Sequence, residues 1–159
     1  MTPDTLHEAA VARVTALATL MSTELPALTK ILHKVLADSI EDLQGDQLIV
    51  ELLGASIESN LETVAHILRY DVDVDEVATP FAAEEYARRL AQRGVAPIAL
   101  VRAYRLGQQQ VLDWAFDELG RDADASVALA AGLIIVDTTF RYIDRISEQV
   151  VTAYESERV

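Results

Sequence analysis

Arg102 and Arg105 stand three residues apart with Gln109 one turn further on, and in a helical projection of residues 94–119 all three fall on one line. Donors aligned in this way can hold one carboxylate or another small anion, because each guanidinium offers a planar fork. The competing use is a solvated face or an ion pair with an acid on a neighbouring helix. The chain carries 26 acidic residues against 13 basic ones, so partners for an ion pair abound.

Other residues that could do chemistry stand alone. His33 in ILHKVL and His66 in VAHILRY border apolar residues, as an axial haem ligand in a helical protein would, yet no histidine has a second ligand at metal-binding helical spacing. The acidic stretch DVDVDE, residues 71–76, begins like a calcium loop and then departs from it. Glu76 occupies the position that needs glycine, and Ala82 the position that needs a bidentate glutamate. There is no cysteine. No nucleophile elbow, phosphate-binding glycine loop or HExxH helix occurs. The sequence therefore predicts no catalytic, metal or cofactor residues and no enzyme, with a haem- or small-anion-binding sensor as the alternative.

The composition narrows the partners. A net charge of −13 with no basic block repels the phosphates of nucleic acid and of anionic lipid. The longest apolar run, Val127 to Val136, is about half of a bilayer span of ~20 residues, and the start, MTPDTLHEAA, has no signal-peptide pattern. A cytoplasmic protein that binds neither nucleic acid nor membrane is expected. At 159 residues, 51% of them hydrophobic, one domain covering residues 1–159 with one core is predicted.

Pro3, Pro26, Pro80 and Pro97 each precede or open an apolar-periodic segment, where a missing N–H costs nothing. With the glycines and acidic caps they predict an all-α domain of about six helices, near 4–23, 26–43, 46–69, 80–93, 97–119 and a long C-terminal one at 123–157. Gly94, after Arg88, Arg89 and Arg93, suits a left-handed helix end. In the fifth helix, Ala103 and Gly107 lie one turn apart. A mid-helix glycine costs ~1 kcal/mol relative to alanine, so a close helix crossing over Ala103 and Gly107 is expected, with Trp114 at its edge.

The closing helix carries two apolar lines. Leu133, Val136, Phe140, Ile143, Ser147, Val150 and Tyr154 alternate by three and four as a heptad seam does, while Ile135, Thr139, Tyr142 and Ile146 face elsewhere. One line is expected to serve the domain core and the other a homodimer through Phe140, Ile143, Ser147, Val150 and Tyr154. On that reading Val150→Glu yields a folded monomer.

RRLAQRGVAPIALVRAYRLGQQQVLDWAF, residues 88–116, and YIDRISEQVVTAYESER, residues 142–158, resemble the N-terminal helical domain of PucR/CdaR-type actinobacterial transcription regulators. That domain is in turn similar to the N-terminal domains of RsbR-like stress-signalling co-antagonists. The residues that carry the resemblance are Gly94, Val95, Pro97, Leu100, Arg102, Ala103, Tyr104, Arg105, Gly107 and Trp114, then Tyr154, Glu155, Glu157 and Arg158. It implies a globin-like helical arrangement without haem, and a DNA-binding helix-turn-helix in a more C-terminal domain with no counterpart in these residues. The expected function is a signal-input and dimerisation module, a fragment of a longer cytoplasmic transcription regulator, whose partners are a second copy and the downstream domains of its own chain.

Overall fold

The computed structural model describes residues 1–158, and among them every regular element is helical: α1 (Pro3–Thr23), α2 (Leu25–Ser39), α3 (Gln47–Tyr70), α4 (Phe81–Gln92), α5 (Pro97–Leu119) and α6 (Ala125–Glu157). Short 3-10 turns lie at Glu41–Leu43 and Val74–Glu76. Side-chain caps explain several starts. Thr2 Oγ1 accepts from the Thr5 amide, Asp46 from Ile49, and Asp124 from Ser126 and Val127. Each such cap contributes about 1 kcal/mol. Gly94 closes α4 at φ 70°, with the Val95 amide bonded to the Leu90 carbonyl at 3.0 Å and the Gly94 amide to Ala91 at 3.1 Å. That pair of bonds is a Schellman motif, and the positive φ is why glycine stands there.

The sequence carries α2 four residues too far. Ile40 and Leu43 keep the apolar spacing, but Ile40 is extended (φ −125°, ψ 101°) and the chain drops into the 3-10 turn instead. Both residues still reach the core, and Gln44 Nε2 donates to the Ala37 carbonyl that the ending helix leaves open. DVDVDE likewise becomes interhelical structure, with Asp71 in the left-handed region at φ 51° and Asp73 accepting from the Asp75 amide.

Four helices form a closed ring of contacts: α1 on α3, α3 on α4, α4 on α6 and α6 on α1. Outside the ring α2 packs on α3 and α5 on α6, and α2 and α5 touch each other. α3 and α6 make little direct contact, which leaves room between them. Long-range ties fix the arrangement. Arg13 pairs with Asp122 at 2.6 Å, Arg93 pairs with Asp46, and Tyr154 Oη donates to the Val95 carbonyl at 2.6 Å.

By length and composition α6 is apolar enough to cross a bilayer; here its apolarity divides between the core and the surface. Ile135, Thr139, Tyr142 and Ile146 are buried, as the second line requires. The seven-residue seam divides. Leu133 is 65% exposed and Phe140 is also exposed, with Val136, Ile143 and Ser147 half-buried, whereas Val150 is fully buried and Tyr154 nearly so. Val150 and Tyr154 are core residues, because α4 and the turn after it cover the last third of α6; Gln92 Nε2 reaches Glu157 there at 2.8 Å. The expectation that both contribute to a surface seam is corrected accordingly.

Candidate functional site

Between α3 and α6, bordered by α2, α4 and α5, lies a cavity of about 70 Å³. Its wall is mostly aliphatic, with Leu32, Leu53, Leu61, Leu100 and Val111 among the lining side chains. Six lining residues are polar, Ser56, Asn60, Tyr86, Tyr104, Gln108 and Thr139, and Tyr142 adds a seventh. None carries a charge.

Asn60, on α3, organises the polar side. Its Oδ1 accepts from Tyr142 Oη at 2.7 Å, and its Nδ2 donates to Tyr104 Oη at 3.2 Å and to the Ser56 carbonyl at 2.8 Å. One amide thereby joins α3, α5 and α6. Two further hydroxyls, Tyr86 Oη and Thr139 Oγ1, are buried without a hydrogen-bond partner among the described residues, and the two residues are 2% and 1% exposed. Burial raises all three tyrosines above the ordinary phenol range. Tyr104 is pushed up to about 12 against the lowering effect of its bond to Asn60, while for Tyr86 and Tyr142 burial acts together with the neighbouring Tyr104.

The residues singled out by sequence are distributed differently. Arg102, Arg105 and Gln109 do share a face of α5, but it is exposed, and among the described residues neither arginine has an acidic partner. They form the solvated face, and no concave surface brings them around an anion. The close crossing over Ala103, Gly107 and Trp114 is also corrected. A Cβ added at Gly107 would meet nothing within 4 Å, and Gly107 and Ala103 line the cavity instead. Trp114 lies apart, lining the groove between α2 and α5, with Nε1 donating to Glu24 Oε2 at 3.2 Å. Tight α5–α6 contact occurs at Gly132, where an added Cβ would come within 2.7 Å of the Phe116 ring.

Neither histidine weighed as a haem ligand lines the cavity. His33 Nε2 bonds to the Val50 carbonyl at 3.0 Å, and His66 is exposed beside Tyr70. Among the described residues no three His, Asp or Glu side chains cluster as a metal site would. Sequence reasoning missed Asn60, Tyr86 and the unpaired Thr139. Their signal was a polar side chain inside an otherwise apolar helical line, as with Asn60 between Ile57, Leu61 and Val64.

Residues 26–159 match the family of the RsbT co-antagonist protein rsbRD N-terminal domain. The chain belongs to that family. No curated protein and no solved structure matches it. The match makes the chain a helical regulatory and signalling domain, in keeping with the six-helix architecture. It spans α2 to α6 and so includes every wall of the cavity.

The buried phenols give this domain an alkaline limit. A phenol whose pKa is higher folded than unfolded stabilises the fold fully below the unfolded pKa of about 10, and that contribution is lost as pH rises toward the folded value. Stability is therefore expected to be flat to about pH 9 and to fall between pH 10 and 12, by up to ~1.4 kcal/mol per pH unit for each phenol, with melting temperature falling alongside it. Thermal melts followed by circular dichroism check this. Tyr86→Phe, which removes a hydroxyl without a partner, is expected to flatten the fall.

Proposed function

We propose that this domain is the signal-input and dimerisation module of a longer cytoplasmic transcription regulator of the PucR/CdaR type, and that it does not itself bind DNA. Its net charge of −13 offers no counterion-release term for a nucleic acid. The globin-like arrangement without haem belongs to the same reading, and the surroundings of His33 and His66 weigh against the haem alternative.

The observation that carries the reading is the outward row of α6. Leu129, Leu133, Val136, Phe140 and Ile143 follow one another at alternating intervals of four and three, and Leu129, Leu133 and Phe140 are exposed. A heptad row facing outward on a long helix is what a second copy of the same helix covers about a two-fold axis. A membrane surface suits it less, since the acidic excess opposes anionic headgroups. The proposed interface is Leu129 to Ile143, toward the start of α6 and clear of the buried Val150 and Tyr154.

Sedimentation velocity tests it. The wild-type chain is expected to be a dimer at micromolar concentration, and Leu133→Glu with Phe140→Glu a monomer with unchanged helical circular dichroism. A monomeric wild type, or a variant that stays dimeric, removes the dimer from the proposal.

A further inference from the structure

The cavity is built as a binding site is built, with an apolar body and a few placed polar groups. Its Asn60 network is satisfied within the protein, but Tyr86 Oη and Thr139 Oγ1 are not. Leaving a buried hydroxyl unpaired costs about 1–3 kcal/mol, and the two residues that carry these unpaired hydroxyls both line the cavity, where an acceptor would relieve that cost. The volume suits a small molecule. At the ~10–15 Å³ that one water-sized group requires, 70 Å³ holds roughly five or six non-hydrogen atoms.

Charge defines the ligand further. The lining has no Lys, Arg or His to offset a carboxylate or phosphate, and the raised tyrosines stay neutral, so an ionised guest would lose its hydration without compensation. Gly107 supplies the opening. It and Gln108 are half-buried on α5 at the cavity's edge, and no atom occupies the place where a side chain at residue 107 would begin. Alanine would fit there and favour the helix, so glycine at this point keeps the wall thin.

We infer that the cavity among α2, α3, α4, α5 and α6 binds a small neutral molecule with an apolar body and one hydrogen-bond acceptor, held by Tyr86 and Thr139 and admitted past Gly107. The inference rests on the signal-input reading and names the chemistry of the signal. Ile143 connects the two, since it lines the cavity and also belongs to the outward row of α6.

Three probes of six non-hydrogen atoms test it on the whole chain: cyclopentanone, methylcyclopentane and cyclopropanecarboxylate, titrated while methyl resonances of Leu100, Val111 and Ile143 are followed by NMR. Cyclopentanone and methylcyclopentane are expected to shift those methyls, and cyclopropanecarboxylate not to. The double substitution Tyr86→Phe, Thr139→Val removes only unpaired hydroxyls and so keeps the fold. It is expected to weaken cyclopentanone about tenfold while leaving methylcyclopentane unchanged or tighter. Gly107→Leu is expected to abolish both. The inference is overturned if neither neutral probe reaches the cavity methyls, if the carboxylate binds more tightly than the ketone, or if the double variant alters ketone and hydrocarbon alike. Because the dimer is read by sedimentation without any probe, failure of one reading is visible apart from failure of the other.

Discussion

Asn60→Ala is expected to destabilise the domain by about 2–4 kcal/mol, because it strips Tyr142 Oη of its acceptor and Tyr104 Oη of its donor at once, each orphan costing about 1–3 kcal/mol. For a chain of this length that is a fall in melting temperature of about 10 °C. The loss comes from buried groups left unpaired, so it shrinks when the orphans are removed too. In a Tyr142→Phe background the same substitution is expected to cost less, and the difference between the two costs is the coupling energy of the pair. Equal costs in both backgrounds would show that the amide serves only to fill space. Urea unfolding monitored by circular dichroism supplies all four values.

Val150→Glu is expected to cost several kcal/mol, a large part of the 5–15 kcal/mol that holds a domain of this kind together, because it places a carboxylate at a site with 0% exposure. The variant is expected to unfold or to melt tens of degrees early. It gives no folded monomer, contrary to what the heptad spacing alone suggests. Leu133→Glu, on the same apparent seam but 65% exposed, is expected to change the stability of the individual chain by no more than about 0.5 kcal/mol. The contrast between two carboxylates introduced seventeen residues apart measures where the surface of α6 ends. Equal stability of the two variants would contradict the burial of Val150.

The starts of the helices were legible because their causes are local. Pro3 and Pro97 at first positions, Asp46 as a cap and Gly94 at a positive φ all act within a few residues of chain. The end of α2 was not legible, since Ile40 and Leu43 are buried on either side of a break that their spacing does not register. Position along α6 was hidden for a similar reason. Periodicity groups Phe140 with Val150 on one line, but only the packing of α4 and its following turn decides that the later residue is covered. A mid-helix glycine is equally ambiguous: Gly107 faces a void and Gly132 the Phe116 ring, and nothing within their own helices separates the two. The cavity needed five helices assembled before it existed. What could be read in advance was the line Ile135, Thr139, Tyr142 and Ile146, whose polar members interrupt an apolar stripe without replacing it.

The 33 residues of α6 form a continuous rod about 50 Å long. Tyr142 sits near its middle, tied through Asn60 to α3, and fifteen residues separate it from Glu157. A fulcrum so placed converts angle into distance: a tilt of about 5° there sweeps the far end through about 2 Å, roughly a third of a helical turn's rise. Tyr154, latched to the Val95 carbonyl, stands in the path of that sweep. Any such swing must therefore either break that latch or drag the α4–α5 corner along with it.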